Sequence, residues 1–230
     1  FLGEVAYTMK RNSDEDQVTV QQVFYENHDD EFAEEILNYR GQTQYSAMIK
    51  KLCEFNPRSE AILRILKDLC DDVKNTQIMI LAHNKCLLLY IYNAIEHRQI
   101  DTVGYYVGGM KQTELKFSES KRIILGTYAM AEEALDIKTL SCLILATPRS
   151  DVTQAVGRIL RIKHEQTIVV DIIDQHKTFK NQSKKRESFY KQNRYTIIQC
   201  TYQNYPTFTP FNYTTRKTPA KKNYKCLIEL

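Results

Sequence analysis

The pattern that most narrows the fold of this chain is a set of short, uniformly apolar segments alternating with helix-forming stretches. Gln77-Ile78-Met79-Ile80-Leu81-Ala82, Ile123-Ile124-Leu125, Cys142-Leu143-Ile144-Leu145-Ala146 and Thr167-Ile168-Val169-Val170-Asp171-Ile172-Ile173 lack the in–out alternation of half-exposed strands. Such runs suit strands covered on both faces, which is the situation in parallel sheets. Two further segments, 18–25 and 102–107, read as strands from their β-branched and aromatic residues. Helical spacing or turn signals predict helices over 31–39, 44–55, 58–73, 85–97, 129–134, 151–161 and 176–192. The expected fold is therefore α/β: a mostly parallel sheet flanked by helices and joined by right-handed crossovers.

Residues 17–194 carry this pattern and form one expected domain. Residues 1–16 read as a connector, and the chain opens on Phe1 rather than Met, as a piece of a longer protein would. Residues 195–230 read as a basic, Tyr-rich extension. The 230 residues are 43% hydrophobic, enough for a sizeable core. No apolar run nears the roughly 18 residues of a membrane span, so no membrane partner is expected. The six cysteines form no C-x-x-C pair, and the histidines form no H-E-x-x-H, so no metal site is expected. The cysteines read as small buried hydrophobes in a reducing compartment.

A net charge of +4 conceals an uneven distribution. Residues 175–230 hold 12 Lys and Arg against only Glu187 and Glu229, while acids outnumber bases in the first 76 residues. Cations neutralise phosphates and aromatic rings stack on bases, so a basic, aromatic-rich tail suits a nucleic-acid strand. Equally, it suits a solvated basic helix followed by a packed, strand-like segment.

In a parallel α/β sheet, chemistry collects in the loops beyond the carboxyl ends of the strands. Four such loops are expected to matter: 83–84, 108–111, 126–133 and 147–154. No G-x-x-x-x-G-K-[ST] occurs, and no D-E-x-[DH] ends an apolar strand. The parts that cradle a triphosphate and its magnesium are thus missing, and this chain is not expected to hydrolyse ATP by itself.

Two motifs remain. In Gln154-Ala155-Val156-Gly157-Arg158-Ile159-Leu160-Arg161, helical spacing puts Gln154, Arg158 and Arg161 on one face. Planar guanidinium forks beside an amide suit an oxyanion such as phosphate, and Gly157 permits close approach. In Leu125-Gly126-Thr127 through Asp136-Ile137, backbone N–H groups and a hydroxyl follow a buried strand, as a backbone phosphate would require. Either set can also be read plainly, as surface arginines or helix caps.

Taken together, these residues resemble the second RecA-like domain of superfamily 2 helicases. Residues 78–90 are similar to motif IV, 125–137 to motif V, and 154–161 to the Q-x-x-G-R-x-x-R form of motif VI. The stretch 121–174 is most similar to helicases of large DNA viruses, the group holding the poxvirus transcript-release helicase and its African swine fever virus counterpart. Ala134 departs from the Gly usual in motif V.

The resemblance implies that Arg158 and Arg161 reach the γ-phosphate of ATP, held with Mg2+ mainly by an N-terminal RecA-like domain of the same protein. Gln154 and Gly157 would line that cleft, and Asp136 would contact the ribose or couple the domains. Thr127 and Gly126, with His83, Gly108 and Gly109 nearby, would hold a single-stranded segment of DNA or RNA. Lys184, Lys185 and Arg186 of the basic helix would add to that surface. Viral transcription machinery is the implied partner. The implied location is the cytoplasmic factory of the infected cell, and the virion. A different reading is a non-catalytic nucleic-acid-binding module with a degenerate RecA-like fold.

Overall fold

The computed structural model describes residues 18–73, 76–133, 137–159 and 167–207. Seven strands form one sheet: β1 (Val18–Tyr25), β2 (Gln77–Ala82), β3 (Val103–Tyr106), β4 (Ile123–Thr127), β5 (Leu140–Leu145), β6 (Thr167–Asp174) and β7 (Thr196–Thr201). Their order is β3-β4-β2-β5-β6-β1-β7, and every pairing is parallel. The RecA-like α/β expectation is met.

Helices α1 (Asp30–Ala33), α2 (Tyr45–Glu54) and α3 (Asn56–Asp72) join β1 to β2, and α4 (Lys85–Arg98) joins β2 to β3. α5 (Gln112–Glu119), α6 (Tyr128–Glu133), α7 (Thr153–Ile159) and α8 (Lys177–Gln192) join the remaining strands in turn. Two apolar cores lie on opposite sides of the sheet, because successive side chains of a strand point to opposite faces. Ile78 and Ile80 of β2 pack with Leu52, Ile62, Leu66, Leu87 and Ile91 of α2, α3 and α4. Met79 and Leu81 pack on the other side with Leu115, Tyr128, Ala155, Val156 and Tyr190 of α5 to α8. The central strands β2, β5 and β6 are buried along their whole length, which is why their sequences do not alternate.

This winding positions the candidate site. β2 feeds a helix on one face, while its neighbours β4 and β5 feed helices on the other. The connections therefore part at the carboxyl end of β2, where a crevice opens in sheets of this kind. His83 directly follows β2, Thr127 ends β4, and Thr147 lies two residues beyond β5.

The structure revises three expectations. The helix placed at 31–39 stops at Ala33. Asn38 Oδ1 instead accepts the N–H groups of Arg40 and Gln42, and Gly41 takes φ 71°. That tight turn competes with helix, as Asn side chains do. Helix α5 was not expected; it buries only Leu115 and Ser118, leaving almost no apolar period to read. Finally, 196–201 is not extension but the edge strand of the same sheet, paired along β1, so the boundary placed after residue 194 cuts through the fold. Residues 208–230 lie outside the described part, as do 1–17.

Among the described residues every cysteine is unbonded to another. Burial pushes the Cys53 and Cys142 thiols up to about 12 and Cys70 to about 11, so these three are unreactive thiols near neutral pH. No helix of the described residues is long and apolar enough to cross a membrane.

Candidate functional site

The four loops singled out in the sequence follow β3, β4, β2 and β5, which are consecutive in the sheet. They therefore lie side by side along one edge. His83 is fixed by Thr147: the Thr147 hydroxyl oxygen accepts the His83 backbone N–H at 3.0 Å and lies 2.8 Å from Nδ1. A hydroxyl that already accepts the N–H is best satisfied by donating to Nδ1, which assigns the Nε2–H tautomer. Burial, with the Arg149 charge adding to it, pulls the His83 pKa down to about 4. The ring is then neutral at physiological pH, with Nε2–H as its remaining donor.

Tyr128 opens α6 directly after Thr127. Its buried hydroxyl donates to the Thr147 carbonyl at 2.6 Å, and its ring lies 4.9 Å from the His83 ring. On another flank, Tyr45 donates to the Pro148 carbonyl at 2.7 Å. The segment after β5 is thus pinned to two other elements by single hydrogen bonds.

Two buried ion pairs hold the same segment from below. Arg58 meets Asp174 and donates to the Ala146 carbonyl at 2.8 Å. Arg186 forks onto Asp171 and also donates to the Arg149 carbonyl. Asp171 lies within the apolar run of β6 and Asp174 closes it, and all four charged side chains are at most 2% exposed. Each guanidinium links an acid of β6 to a carbonyl beyond β5. Neither pair was singled out from sequence. The signal available was an acid inside or closing a strand buried on both faces, which requires a partner.

Placed on this frame, the expected site residues separate into groups. Gln154 and Gly157 are exposed on α7, and a methyl group at Gly157 would meet nothing within 4 Å. Among the described residues no packing demands that glycine. Arg158, half-buried on α7, donates to the Glu132 carbonyl at 2.7 Å. Glu132 in turn takes Arg149 on its carboxylate at 2.6 Å. Thr127 is half-buried beside Tyr128, while Gly108 and Gly109 are exposed, with Gly109 at φ 91°. Lys85 reaches the Gly108 carbonyl at 3.3 Å, so the β3 and β2 loops meet.

Gly126 is buried, and its role is packing: an added Cβ would lie 2.8 Å from Met79 Cε and 3.2 Å from the Tyr106 carbonyl. Lys184 and Lys185 are exposed on α8, but Arg186 is not. Its guanidinium is spent on Asp171, which corrects its reading as a strand contact. Arg161 and Asp136 lie outside the described residues. Among the described residues no three His, Cys, Asp or Glu side chains gather as a metal would need.

No protein-family model matches the chain. It is 35% identical over 206 residues to L396 of Acanthamoeba polyphaga mimivirus, a protein provisionally named an ATP-dependent RNA helicase, covering 86% of this chain and 39% of that one. It is 32% identical over 133 residues to QP509L of African swine fever virus, provisionally named in the same way, covering 54% of this chain and 26% of that one. The chain therefore spans well under half the length of these relatives. In fold it is similar to T4 UvsW, with TM-score 0.60 at 20% identity over 80% of this chain and 41% of that one. It is also similar to the C-terminal domain of an S. cerevisiae Dbp5 variant bound to a Gle1 variant and IP6, with TM-score 0.52 at 12% identity over 67% of this chain and 90% of that one. The homologues are viral proteins named as helicases, and the structural neighbours include helicase C-terminal domains.

Proposed function

We propose, from this kinship with viral helicases, that the chain is the second RecA-like domain of an ATP-dependent superfamily 2 helicase or translocase. The observation that carries the proposal is the α7 face, where Gln154, Gly157 and Arg158 stand beside the carboxyl edge and, among the described residues, nothing packs on the glycine. Such a face is suited to an oxyanion presented by another domain.

In this reading an N-terminal RecA-like domain of the same protein holds ATP and Mg2+, and Arg158 and Arg161 complete the site. Arg158 exchanges the Glu132 carbonyl for a γ-phosphate oxygen when the two domains close. A guanidinium supplied in this manner is worth roughly 10³–10⁵ in rate in related NTPases. Gln154 lines the cleft, and Asp136 contacts the ribose or couples the domains.

A single-stranded DNA or RNA segment crosses the edge formed by the β2, β3 and β4 loops. There Thr127, the neutral His83 ring and the backbone at Gly108 and Gly109 present donors to phosphate. Lys184 and Lys185 add positive potential along α8, which strengthens binding without selecting sequence. Closure on ATP and reopening after hydrolysis then step the pair of domains along the strand. Viral transcription in the cytoplasm of the infected cell is the process we assign to it, with the transcription machinery as partner.

ATP-dependent unwinding tests this reading. The polypeptide that carries this chain with its P-loop domain should separate an RNA or DNA duplex bearing a single-stranded tail only when hydrolysable ATP is present. Tight strand binding without unwinding or ATP turnover would point instead to a non-catalytic binding module.

A further inference from the structure

One residue outside every motif joins the two halves of the site. Arg149 lies between β5 and α7, and its Nη2 meets both Glu132 carboxylate oxygens, at 2.6 and 2.9 Å. Its Nε donates to the Asp151 carbonyl at 3.1 Å, and its guanidinium lies 5.1 Å from the centre of the Tyr128 ring. Its own carbonyl is held by the buried Arg186. The Arg149 guanidinium and backbone carbonyl are therefore both anchored.

Glu132 is engaged at both ends. Its carboxylate takes Arg149, and its backbone carbonyl takes Arg158 Nη2 at 2.7 Å. On the opposite side, the Tyr128 ring that faces Arg149 also lies against His83. The contacts His83–Tyr128–Arg149–Glu132–Arg158 thus run unbroken from the β2 loop to α7. The Arg149 and Glu132 side chains are 30% and 22% exposed, so their attraction is less screened than that of an open surface pair.

We propose that Arg149 is a positioning residue: by holding the Glu132 carboxylate it sets the place of the Glu132 carbonyl, and so the place from which Arg158 moves toward phosphate. A strand seated against His83 and Thr127 shifts Tyr128, and Arg149 passes that shift to Glu132. This inference rests on the proposed role of Arg158 toward ATP. Contact alone does not establish such a path; energetic coupling does.

The test uses the full polypeptide, with unstimulated and strand-stimulated ATP turnover and KM for ATP measured in each variant. Glu132→Gln keeps the carbonyl and removes only the charge that grips Arg149. Arg149→Ala and Glu132→Gln should each cut the fold-stimulation by strand about tenfold, with KM for ATP changing less than about threefold. The double variant should be no worse than either single one, because both break the same contact. Arg149→Lys should restore part of the stimulation, retaining the charge without the fork.

Undiminished stimulation in Glu132→Gln, or additive losses in the double variant, would overturn the inference. Should Arg149→Ala fail to fold, Glu132→Gln and Arg149→Lys still decide it. Full activity in Arg158→Ala would instead remove the reading beneath it, and that outcome is separately visible.

Discussion

Arg58 and Asp174 form an ion pair with no exposure on either side, Nε to Oδ1 at 2.5 Å, across 116 positions of sequence. Burial alone would push the Arg58 pKa down, but the Asp174 charge and hydrogen bonds more than offset this and keep it protonated. Removing one partner leaves a buried charge alone, which costs about 3–5 kcal/mol. Arg58→Ala and Asp174→Asn should each lower the unfolding free energy by an amount in that range. Arg58→Met combined with Asp174→Leu should recover most of it, since apolar residues of similar volume often replace a buried pair at little cost. Urea titration of the four proteins checks this.

Much of this frame was legible from sequence. Six of the seven strands announce themselves as apolar, β-branched or aromatic runs, and the alternation with helices gives the parallel winding. The four loops share one edge, as the strand order of such a sheet requires. What escaped was information carried by pairing. Nothing local to Arg58 says that its partner is Asp174, and nothing in the Lys184-Lys185-Arg186 run says that only the third turns inward to Asp171. Strand β7 was hidden because Thr196-Ile197-Ile198-Gln199-Cys200-Thr201 sits in a basic, aromatic tail whose composition outweighed its own β-branched character. Arg149 belongs to no motif and Glu132, 17 positions away, lies in the motif V stretch, and only the fold brings them to 2.6 Å.

The basic helix offers a prediction that separates neighbouring residues. Lys184→Gln with Lys185→Gln should leave stability unchanged and flatten the salt dependence of single-strand binding, by up to about 0.7 in slope per lost phosphate contact. Arg186→Gln should behave oppositely, losing several kcal/mol of stability because Asp171 is left buried and uncompensated, about 3–5 kcal/mol by the same reasoning as for Arg58. Filter binding across a salt series, paired with thermal melts, distinguishes the two.

His83 carries a pH signature. Its folded pKa is about 4, against 6.5 for the ordinary side chain. Between those values the unfolded chain binds more protons, so stability should rise with pH from about 4 to 6.5 and level off above it. One such group contributes at most about 1.4 kcal/mol per pH unit. His83→Asn should remove this part of the slope. Imidazole NMR shifts that move near pH 6.5 in the folded protein would contradict the assignment. Because the ring is already neutral, acidification from pH 7 to 6 should not strengthen strand binding through it.

Gly126 is a packing residue by the same evidence that places it on β4. Gly126→Ala should destabilise by about 1–3 kcal/mol, as overpacked cores do. Met79 Cε can swing aside, but the Tyr106 carbonyl at 3.2 Å belongs to the neighbouring strand and cannot move far. Chemical denaturation gives the size of the effect. Strand affinity per folded molecule should not change.

The central claim is that Arg158 completes an ATP site supplied by another domain. Its most direct test is single-turnover ATP hydrolysis by the full polypeptide, with and without saturating single strand, in the wild type and in Arg158→Ala. The account predicts that Arg158→Ala folds, binds ATP and strand at near-normal affinity, and loses about 10³-fold or more in the hydrolysis step. Hydrolysis at the wild-type rate in a folded Arg158→Ala protein would contradict it.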